Sequence, residues 1–422
     1  MRCSRPTLAM KRLLLLVLLI CLSNRRGGAA PETTPAMTNL PSDLALYIGT
    51  YTQRAEGGVC GARFNAQTGE LSALGLLATT PNPSFLSLAP DGRTLYAANE
   101  WGAVAGANTG GLSLFRIEAP LTAVPHGGGA PHDRGAPPGV AALPRLVPLA
   151  SLAVGGGLCH LTTDATGKWL LAAAYGGGTV SVWPVLPDGR LGPLAARQQH
   201  SGHGSHPARQ SEPHVHHIVF APDNRRVFVA DLGLDQVLLY DFAPQTGHLA
   251  PATPPFVRVA AGAGPRHVAL SPSCRDLYVV SELNNTVSVF ADALGTPHLV
   301  QTITTLPPDF RDESFTAEIV MRPDGRFLYV SNRGHNSIVC YAVGGDGHLT
   351  LTGVFATGRT PRHFTFDPSG QWLLVGNQSD RSVSVFRVDA LSGALALQSQ
   401  LAGLPDEPVC LLLARVPVAP RP

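Results

Sequence analysis

Hydrophobic and polar positions recur along this chain in a unit of four short segments. An apolar segment leads into a turn of the Pro-Asp-Gly type, and a second apolar segment follows and ends in a polar residue. The third segment resembles Val-Ser-Val-Phe, and a more polar fourth segment contains a Gly-Xaa-Leu motif. Short apolar or alternating runs bounded by turn residues are typical of β-strands. The unit therefore predicts four consecutive β-strands.

Six copies of this unit are complete, and the loops between them absorb the differences in spacing. The copies run over residues 85–115, 160–183, 217–240, 267–290, 318–341 and 363–386. The second segments are almost continuously apolar, which is expected when both faces of a sheet are covered by neighbouring sheets. Repeats of this kind indicate an array of similar sheets rather than separate domains.

The seventh copy is divided between the two ends of the chain. Residues 44–50 read as a second strand, residues 58–64 as a third, and residues 69–71 open a fourth. The missing innermost strand is supplied by residues 408–414. Joining both termini in one sheet closes a ring and removes exposed strand edges. The predicted fold is all-β: a seven-bladed β-propeller with four-stranded blades, closed by pairing of the N- and C-terminal strands.

The first thirty residues have the pattern of a signal peptide. Lys11 and Arg12 precede an apolar run over residues 13–22, which is too short to span a bilayer, and small residues follow at 27–30. We expect export to the periplasm or the medium, or a cytoplasmic protein if Met1 is a wrongly assigned start. The predicted organisation is a leader at 1–30, a linker at 31–43, a propeller at 44–416 with an inserted loop at 119–147, and a tail at 417–422.

Composition narrows the function classes. A net charge of +2 gives no reason to expect nucleic-acid or membrane-surface binding, and no later segment is long and apolar enough to cross a bilayer. Five cysteines follow the leader in a spacing that fits no zinc pattern, so we interpret them as small buried residues on strands. No P-loop or nucleophile elbow is present. We expect no cofactor, a small-molecule ligand, and a monomer or weakly associating homo-oligomer.

Polar residues concentrate at three positions of the repeat. In a propeller blade, the first strand starts and the second strand ends on the same side, beside the central channel. Six positions before the turn proline, the chain carries His216, Arg266 and Arg362. Nine positions after it stand Asp231, Asn332 and Asn377, and ten positions after it stand Glu282 and Arg333. The equivalent positions of other copies include Ser84, Cys159, Glu100 and Tyr175. Because the fold gathers these residues at one mouth, we predict a polar site there.

These side chains suit acyl chemistry. Guanidinium groups bind carboxylate or phosphate groups and stabilise oxyanions, which suits Arg266, Arg333 and Arg362. His216 could act as a general base or acid, and Glu282 could orient a partner or act as base. We take His216, Arg266, Glu282 and Arg333 as the catalytic candidates. Candidates for substrate binding are His214, Arg362, Glu318, Asn332 and Asn377. The alternative is that such residues only satisfy strand ends, which for Asp231, Asn332 and Asn377 is the leading interpretation.

Histidines are also clustered between residues 200 and 217. Metal binding would need neutral imidazoles held at fixed geometry, whereas residues 200–210 are rich in Gly and Ser and carry no strand pattern. We therefore predict a solvated loop that precedes one functional histidine, His216, and no metal.

Four segments give the chain a family resemblance. They are residues 46–51; 213–216 with 231–235; 264–267 with 281–283; and 317–319 with 331–334. In these segments and over about residues 44–416 the chain resembles the seven-bladed lactonase family, which includes 6-phosphogluconolactonases of the propeller type and carboxymuconate-cycloisomerase-like enzymes. The resemblance implies that His216, Arg266, Glu282 and Arg333 line the active site and that the lactone chemistry needs no metal.

Three functions remain open at this stage. The first is hydrolysis of a sugar lactone, as in 6-phosphogluconolactonases. The second is an exported propeller that binds a ligand or protein without catalysis, and the third is a lactonising cyclase acting on a muconate-type dicarboxylate. The leader argues against a phosphorylated sugar, because 6-phosphogluconolactone is a cytosolic intermediate.

Overall fold

The computed structural model describes residues 43–52, 57–100, 110–118 and 145–415. The predicted leader, linker and tail, and most of the predicted insert, lie outside these residues. Within them, 28 β-strands and one 3₁₀ helix, Leu232–Leu234, account for the regular structure. No helix of the described residues is long and apolar enough to cross a membrane.

The strands form seven antiparallel sheets of four, the blades. The chain enters through three strands of the closing blade: β1 (Asp43–Tyr51), β2 (Gly58–Asn65) and β3 (Leu71–Thr79). The next two blades are β4 (Pro83–Leu88), β5 (Thr94–Asn99), β6 (Gly111–Glu118) and β7 (Arg145–Ala153), then β8 (Leu158–Thr163), β9 (Trp169–Ala174), β10 (Thr179–Pro184) and β11 (Ala196–Gln199).

The remaining blades follow in chain order. The fourth and fifth sheets are β12 (Val215–Phe220), β13 (Arg226–Asp231), β14 (Gln236–Ala243) and β15 (His248–Arg258), then β16 (Pro265–Leu270), β17 (Asp276–Ser281), β18 (Thr286–Ala291) and β19 (His298–Thr304). The last two complete blades are β20 (Phe315–Met321), β21 (Phe327–Arg333), β22 (Ser337–Val343) and β23 (Leu349–Ala356), then β24 (Pro361–Phe366), β25 (Trp372–Asn377), β26 (Ser382–Val388) and β27 (Leu395–Leu401). The chain ends in β28 (Glu407–Arg415).

The closing blade joins the two ends of the chain as predicted. Strand β28 pairs with β1 in antiparallel register, with Ile48 opposite Leu411, and the sheet order is β28-β1-β2-β3. The innermost strands β4, β8, β12, β16, β20, β24 and β28 each pack beside the innermost strands of both neighbours. The ring is therefore closed, and the seven-bladed propeller is confirmed.

Packing between blades explains why the second strands are apolar except at their ends. Strands β5, β9, β17 and β25 are buried at every residue. Each of the seven hydrophobic clusters joins two adjacent blades; one, for example, contains Phe228 from β13 and Leu277 from β17. Burial of such side chains contributes about 1.5–3 kcal/mol each, so every blade is stabilised by both of its neighbours.

Two sequence predictions need correction. All five cysteines that follow the leader are buried, as expected, and no disulfide joins any two of them, but Cys274 lies in a turn with φ of 54° rather than on a strand. The insert was predicted to reach Val147, whereas β7 already begins at Arg145. Residues 145–147 pair with β6, and this pairing was hidden by the Pro- and Ala-rich composition around them.

Candidate active site

A bulge near the start of each innermost strand turns one side chain toward the channel. Each of these strands skips residues in its pairing with the second strand. A bulged residue is left unpaired and its side chain is redirected. The skipped residues are Ser84, Cys159, His216, Arg266, Ala317 with Glu318, Arg362 and Val409. All except Ala317 line one narrow recess at the channel mouth, together with Glu100.

Glu282 is the centre of an ion-pair cluster at this mouth. Its Oε2 atom lies 3.0 Å from Nε of Arg266 and 2.9 Å from Nη2 of Arg333. Both guanidinium groups are also fixed by β20, because Arg266 donates to the carbonyl of Ala317 at 2.8 Å and Arg333 to that of Thr316 at 2.9 Å. Three of the four predicted catalytic residues therefore lie in direct contact.

The charges of this cluster are fixed near neutral pH. Burial alone would raise the pKa of Glu282, but Arg333 and Arg266, with smaller effects of His216 and Arg209, hold it well below its usual range. Burial lowers the pKa of Arg333 to about 10, which still leaves it protonated. Glu282 is thus a carboxylate that orients guanidinium groups, and it cannot serve as a proton donor.

His216 is the fourth predicted catalytic residue and lines the same recess as Arg266. Its Nδ1 atom is buried and has no hydrogen-bond partner within the described part of the chain. Burial, the charge of Arg266 and the neighbouring His267 lower its pKa well below the usual value. The side chain is therefore a neutral imidazole beside a guanidinium group, able to accept a proton.

Arg362, predicted to bind substrate, lies in a second polar cluster of the recess. Its Nη2 atom donates to the hydroxyl of Tyr51 at 2.8 Å, and its guanidinium group lies 5.0 Å from the centre of that ring. The Tyr51 hydroxyl in turn donates to the Glu100 carboxylate. Tyr51 and Glu100 were not among the predicted site residues, although Glu100 occupies the same repeat position as Glu282.

Glu318 lies one layer deeper than expected. Its Oε1 atom lies 2.9 Å from Nδ1 of His267 and its Oε2 atom 3.3 Å from Nε2 of His363. Further round the channel, the His267 ring stacks on His217, which meets His160, and His160 packs on Phe85. These residues form a belt that fills the channel, so Glu318 supports the floor of the recess more than its open side.

Asn332 and Asn377 do not reach the recess. Both side chains are fully buried. Asn332 bonds to Thr305 and Ser337, and Asn377 to Ser382 and Ser384. The Asn332 amide joins its blade to the end of the preceding one at Thr305, and the Asn377 amide closes the end of its own blade. The assignment of these two residues to substrate binding is therefore withdrawn in favour of the structural role.

The histidine-rich loop is solvated over most of its length, as predicted, but it is anchored at both ends. His200 is buried, with Nδ1 2.6 Å from Oδ2 of Asp231 and Nε2 2.9 Å from the hydroxyl of Tyr240. Gln210 is also buried and donates to Leu232 and Asp235. Residues 201–209 between these anchors are exposed or half-buried and form no strand, so only the two anchors were not predicted. Among the described residues, no group of three or more His, Cys, Asp or Glu is placed to hold a metal.

This loop delivers a site residue that the sequence did not single out. The Nη2 atom of Arg209 lies 2.7 Å from Oε1 of Glu282 and donates to the hydroxyl of Tyr175 at 3.3 Å. The predicted substrate-binding residue His214 stacks flat on the Tyr175 ring, with centres 4.3 Å apart. Tyr175 could have been found from its repeat position, but nothing in the repeat points to Arg209.

A family comparison identifies this arrangement. The profile of the family described as "Lactonase, 7-bladed beta-propeller" matches residues 45–413, nearly all of the propeller. The chain belongs to the seven-bladed β-propeller lactonase family. The resemblance seen in the sequence segments is thereby confirmed.

Two relatives of this chain are matched over almost their whole length, and a third over 70% of it. A 6-phosphogluconolactonase of Bacillus subtilis is 30% identical over 372 residues, which cover 86% of this chain and 97% of the relative. The crystal structure of a periplasmic gluconolactonase of Pseudomonas aeruginosa is 32% identical, with a TM-score of 0.77, and the match covers 89% of this chain and 100% of that one. A 6-phosphogluconolactonase of Cronobacter sakazakii is 37% identical over 246 residues, 58% of this chain and 70% of the relative.

Proposed function

We propose that this lactonase-family protein hydrolyses a sugar lactone at the channel mouth formed around Glu282. The observation that carries the proposal is the placement of a neutral imidazole, His216, in one recess with the paired arginine Arg266. Relatives named as lactone-hydrolysing enzymes match most of the chain. Hydrolysis of a lactone needs a base for water and positive charge for the developing oxyanion.

The residues divide these tasks between them. His216 accepts a proton from the attacking water as its oxygen bonds to the lactone carbonyl carbon. Arg266 and Arg333 stabilise the oxyanion of the tetrahedral intermediate, and the protonated imidazole returns the proton to the leaving alkoxide when the ring C–O bond breaks. Glu282 holds the two guanidinium groups in place, so little reorganisation is needed during the reaction.

An arginine-to-lysine exchange tests this assignment. Lysine keeps the charge of Arg266 but lacks the planar fork that contacts Glu282 and Ala317 together. We expect Arg266→Lys to lower kcat/KM for a hexonic δ-lactone at least tenfold, or about 1.4 kcal/mol of transition-state stabilisation. Lactone hydrolysis is followed by release of acid, corrected for spontaneous opening.

Arg322 offers a matched control for this experiment. It is equally buried and forms a fork to Asp324 and the carbonyl of Gly370, but it lies at the turn between β20 and β21 rather than in the recess. Arg322→Lys is expected to keep the wild-type rate. Equal rates for wild type and Arg266→Lys would exclude the role assigned to the Arg266 fork. No turnover of any lactone by the wild-type protein would exclude the proposed function, and recovery of a bound protein partner instead would favour the non-catalytic alternative.

We propose in addition that the protein is exported. The charged and apolar pattern of residues 11–30 supports a cleaved leader, and the relative from Pseudomonas aeruginosa is described as periplasmic. Fractionation of cells expressing the full chain, with N-terminal sequencing of the mature protein, tests this. An unprocessed protein confined to the cytoplasm would overturn it.

A further inference from the structure

Arg209 differs from the other arginines of the site in its origin and its exposure. Arg266 and Arg333 lie on strands and are 3% and 15% exposed at the side chain, whereas Arg209 comes from the loop before β12 and is 35% exposed. Arg266 and Arg333 share Oε2 of Glu282, and Arg209 binds the other oxygen, Oε1. One of its faces is therefore open to solvent at the mouth.

Glu282 does not depend on Arg209 for its charge. The effects of Arg333 and Arg266 on the pKa of Glu282 are both larger than that of Arg209. Two buried guanidinium groups already compensate the carboxylate. Among the described groups of the mouth, four arginines, including Arg362, accompany the three carboxylates Glu100, Glu282 and Glu318. One positive charge is left for a ligand, and Arg209 is the most exposed of the three arginines that contact Glu282.

The loop that carries Arg209 is built to hold it in place. Directly beside it, Gln210 accepts from the backbone N–H groups of Ser205 and His206 and donates to Leu232 and Asp235. At the start of the loop, His200 is fixed by buried contacts. Ordering a loop costs roughly 1–2 kcal/mol per residue, and the side chain that this order brings to the mouth is Arg209.

Tyr175 completes a wall of donors on this side of the recess. Burial raises the pKa of its hydroxyl, which therefore keeps its proton. His214 stacks on the ring and its Nδ1 atom lies 3.0 Å from the Tyr175 carbonyl oxygen, so the ring is fixed from behind. A guanidinium group and a hydroxyl at hydrogen-bond distance from one another match the oxygens of one anionic group.

We propose that Arg209 and Tyr175 bind an anionic substituent of the lactone, a phosphoryl or carboxylate group remote from the reacting carbonyl. This inference rests on the proposed lactone hydrolysis and names the substrate class. It opposes the expectation, drawn from the leader, that the substrate carries no such group. On binding, the substituent replaces Oε1 of Glu282 as the partner of Arg209, while Arg266 and Arg333 stay on Oε2.

Selectivity between substrates tests the proposal. Arg209→Met keeps a flexible apolar side chain of about the length of the arginine stem and removes the guanidinium group with its charge. Three lactones are compared: an uncharged hexonic δ-lactone, its 6-phosphate ester and a γ-lactone with a carboxymethyl group. We expect the wild-type preference in kcat/KM for one of the charged lactones over the uncharged one to fall at least tenfold in Arg209→Met. If the preference that is lost is the one for the phosphate ester, the bound group is a phosphoryl group; if it is the one for the carboxymethyl lactone, the bound group is a carboxylate.

Arg359 supplies the matched control. It is also paired with a carboxylate, that of Asp380, in an exposed loop, but it does not contact Glu282. Arg359→Met should keep the wild-type preference, which shows that the effect does not come from net charge alone. An equal loss for charged and uncharged lactones in Arg209→Met, or no preference for either charged lactone in the wild type, overturns the proposal while leaving lactone hydrolysis intact.

A binding measurement keeps the proposal testable if no lactone is hydrolysed. By calorimetry, wild type should bind 6-phosphogluconate, or a dicarboxylate of the muconate type, at least tenfold more tightly than gluconate, and Arg209→Met should lose that advantage. If the wild type binds all three acids equally, the anionic subsite is refuted, whatever the outcome for turnover.

Discussion

At the scale of single residues, the site is organised by a carboxylate that takes no part in proton transfer. The pKa of Glu282 is held low by the guanidinium groups around it, whereas that of His216 is held low by burial and by Arg266. An acidic and a basic side chain with shifted pKa values that lie close together are typical of catalytic sites. The buried arginines therefore stabilise the charge of Glu282, and Arg266 adds to the larger effect of burial that keeps His216 neutral.

The role of His216 as general base predicts both a rate and a pH profile. His216→Gln removes the basic nitrogen, and loss of a general base typically costs 10²–10⁴-fold in kcat, so we expect a decrease of at least about 100-fold. Because the pKa of His216 lies well below 6.5, the imidazole stays neutral above that value, and wild-type kcat/KM should be flat between about pH 6.5 and 8.

His203 is the control for this variant, since it lies exposed on the loop before His216 and its ring is hydrogen-bonded to the carbonyl oxygen of its neighbour Gly204. His203→Gln should leave both kcat and the pH profile unchanged. A kcat of His216→Gln within threefold of wild type would contradict the assignment, as would a wild-type rate that rises through pH 7 with the slope of one ionisation.

How far the sequence predicts the site depends on whether a residue belongs to the repeat. Arg266, Glu282, Arg333 and His216 were found because strands bring equal repeat positions to equal heights in the channel. Arg209 could not be found in this way, because its position depends on Gln210 and His200, whose partners are distant in sequence. Asn332 and Asn377 occupy a repeat position at the same height as the site residues, yet their side chains are buried in the blades. The repeat position predicts the height of a residue along the channel and not the direction of its side chain.

At the scale of elements, the turn between the first two strands explains why the repeat is visible in the sequence. Two residues after each turn proline the backbone is left-handed, with φ of 68° at Gly92 and 72° at Gly325. A Cβ atom added at Gly325 would lie 2.7 Å from Cγ of Pro272, the turn proline of the preceding blade. At Gly325, the glycine of the Pro-Asp-Gly turn is therefore favoured by the close contact with the adjacent blade as well as by the left-handed backbone of the turn itself.

This contact predicts unequal costs for two equivalent substitutions. Gly325→Ala introduces a side chain at positive φ, which costs about 1–2 kcal/mol, and it also forces Pro272 to move, which adds roughly 1–3 kcal/mol. Gly92→Ala has the same backbone penalty but meets nothing within 4 Å. Urea unfolding should therefore show a loss for Gly325→Ala that exceeds the loss for Gly92→Ala by at least about 1 kcal/mol. Equal losses would mean that the proline contact has no energetic weight.

The bulges show what the strand pattern cannot reveal. In β12 the pairing passes from Val215 to His217 and leaves His216 out, yet both flanking residues are buried like ordinary strand residues. An extra residue at the start of a strand leaves the rest of the hydrophobic pattern unchanged. Strand identity was therefore predictable, whereas the redirection of one side chain per blade required the backbone.

At the scale of the whole molecule, closure of the ring confines a belt of histidines in the channel. His160, His217 and His363 each accept a backbone N–H bond at Nδ1 from the innermost strand of the next blade, from Ile218, Val268 and Leu411 respectively. Adding a second proton to any of these rings would break that bond and place a charge beside the others. Burial lowers the pKa of each ring. Neighbouring positive charges add to this effect for His160 and His217, whereas Glu318 opposes it for His363.

This belt makes the fold sensitive to acid. Five buried histidines, His160, His216, His217, His267 and His363, have a lowered pKa in the folded state, so below about pH 6.5 the unfolded chain binds more protons than the folded one. Stability is complete above that value and decreases as the pH falls toward the folded pKa values, by up to about 1.4 kcal/mol per pH unit for each histidine. Glu318, whose pKa is raised by burial, offsets at most one proton, and only nearer its own range.

The free energy of unfolding in urea should therefore be nearly constant between pH 8 and 7 and fall steeply between pH 6.5 and 5.5. His160→Gln is the informative variant, because its amide oxygen can still accept the N–H of Ile218 but does not titrate. Its slope in the acidic range should be smaller than that of wild type by up to one proton, about 1.4 kcal/mol per pH unit. A wild-type free energy of unfolding that is constant down to pH 5.5 would show that the channel histidines are hydrated and titrate normally. A His160→Gln variant with the wild-type slope would show that His160 does not contribute to the acid sensitivity.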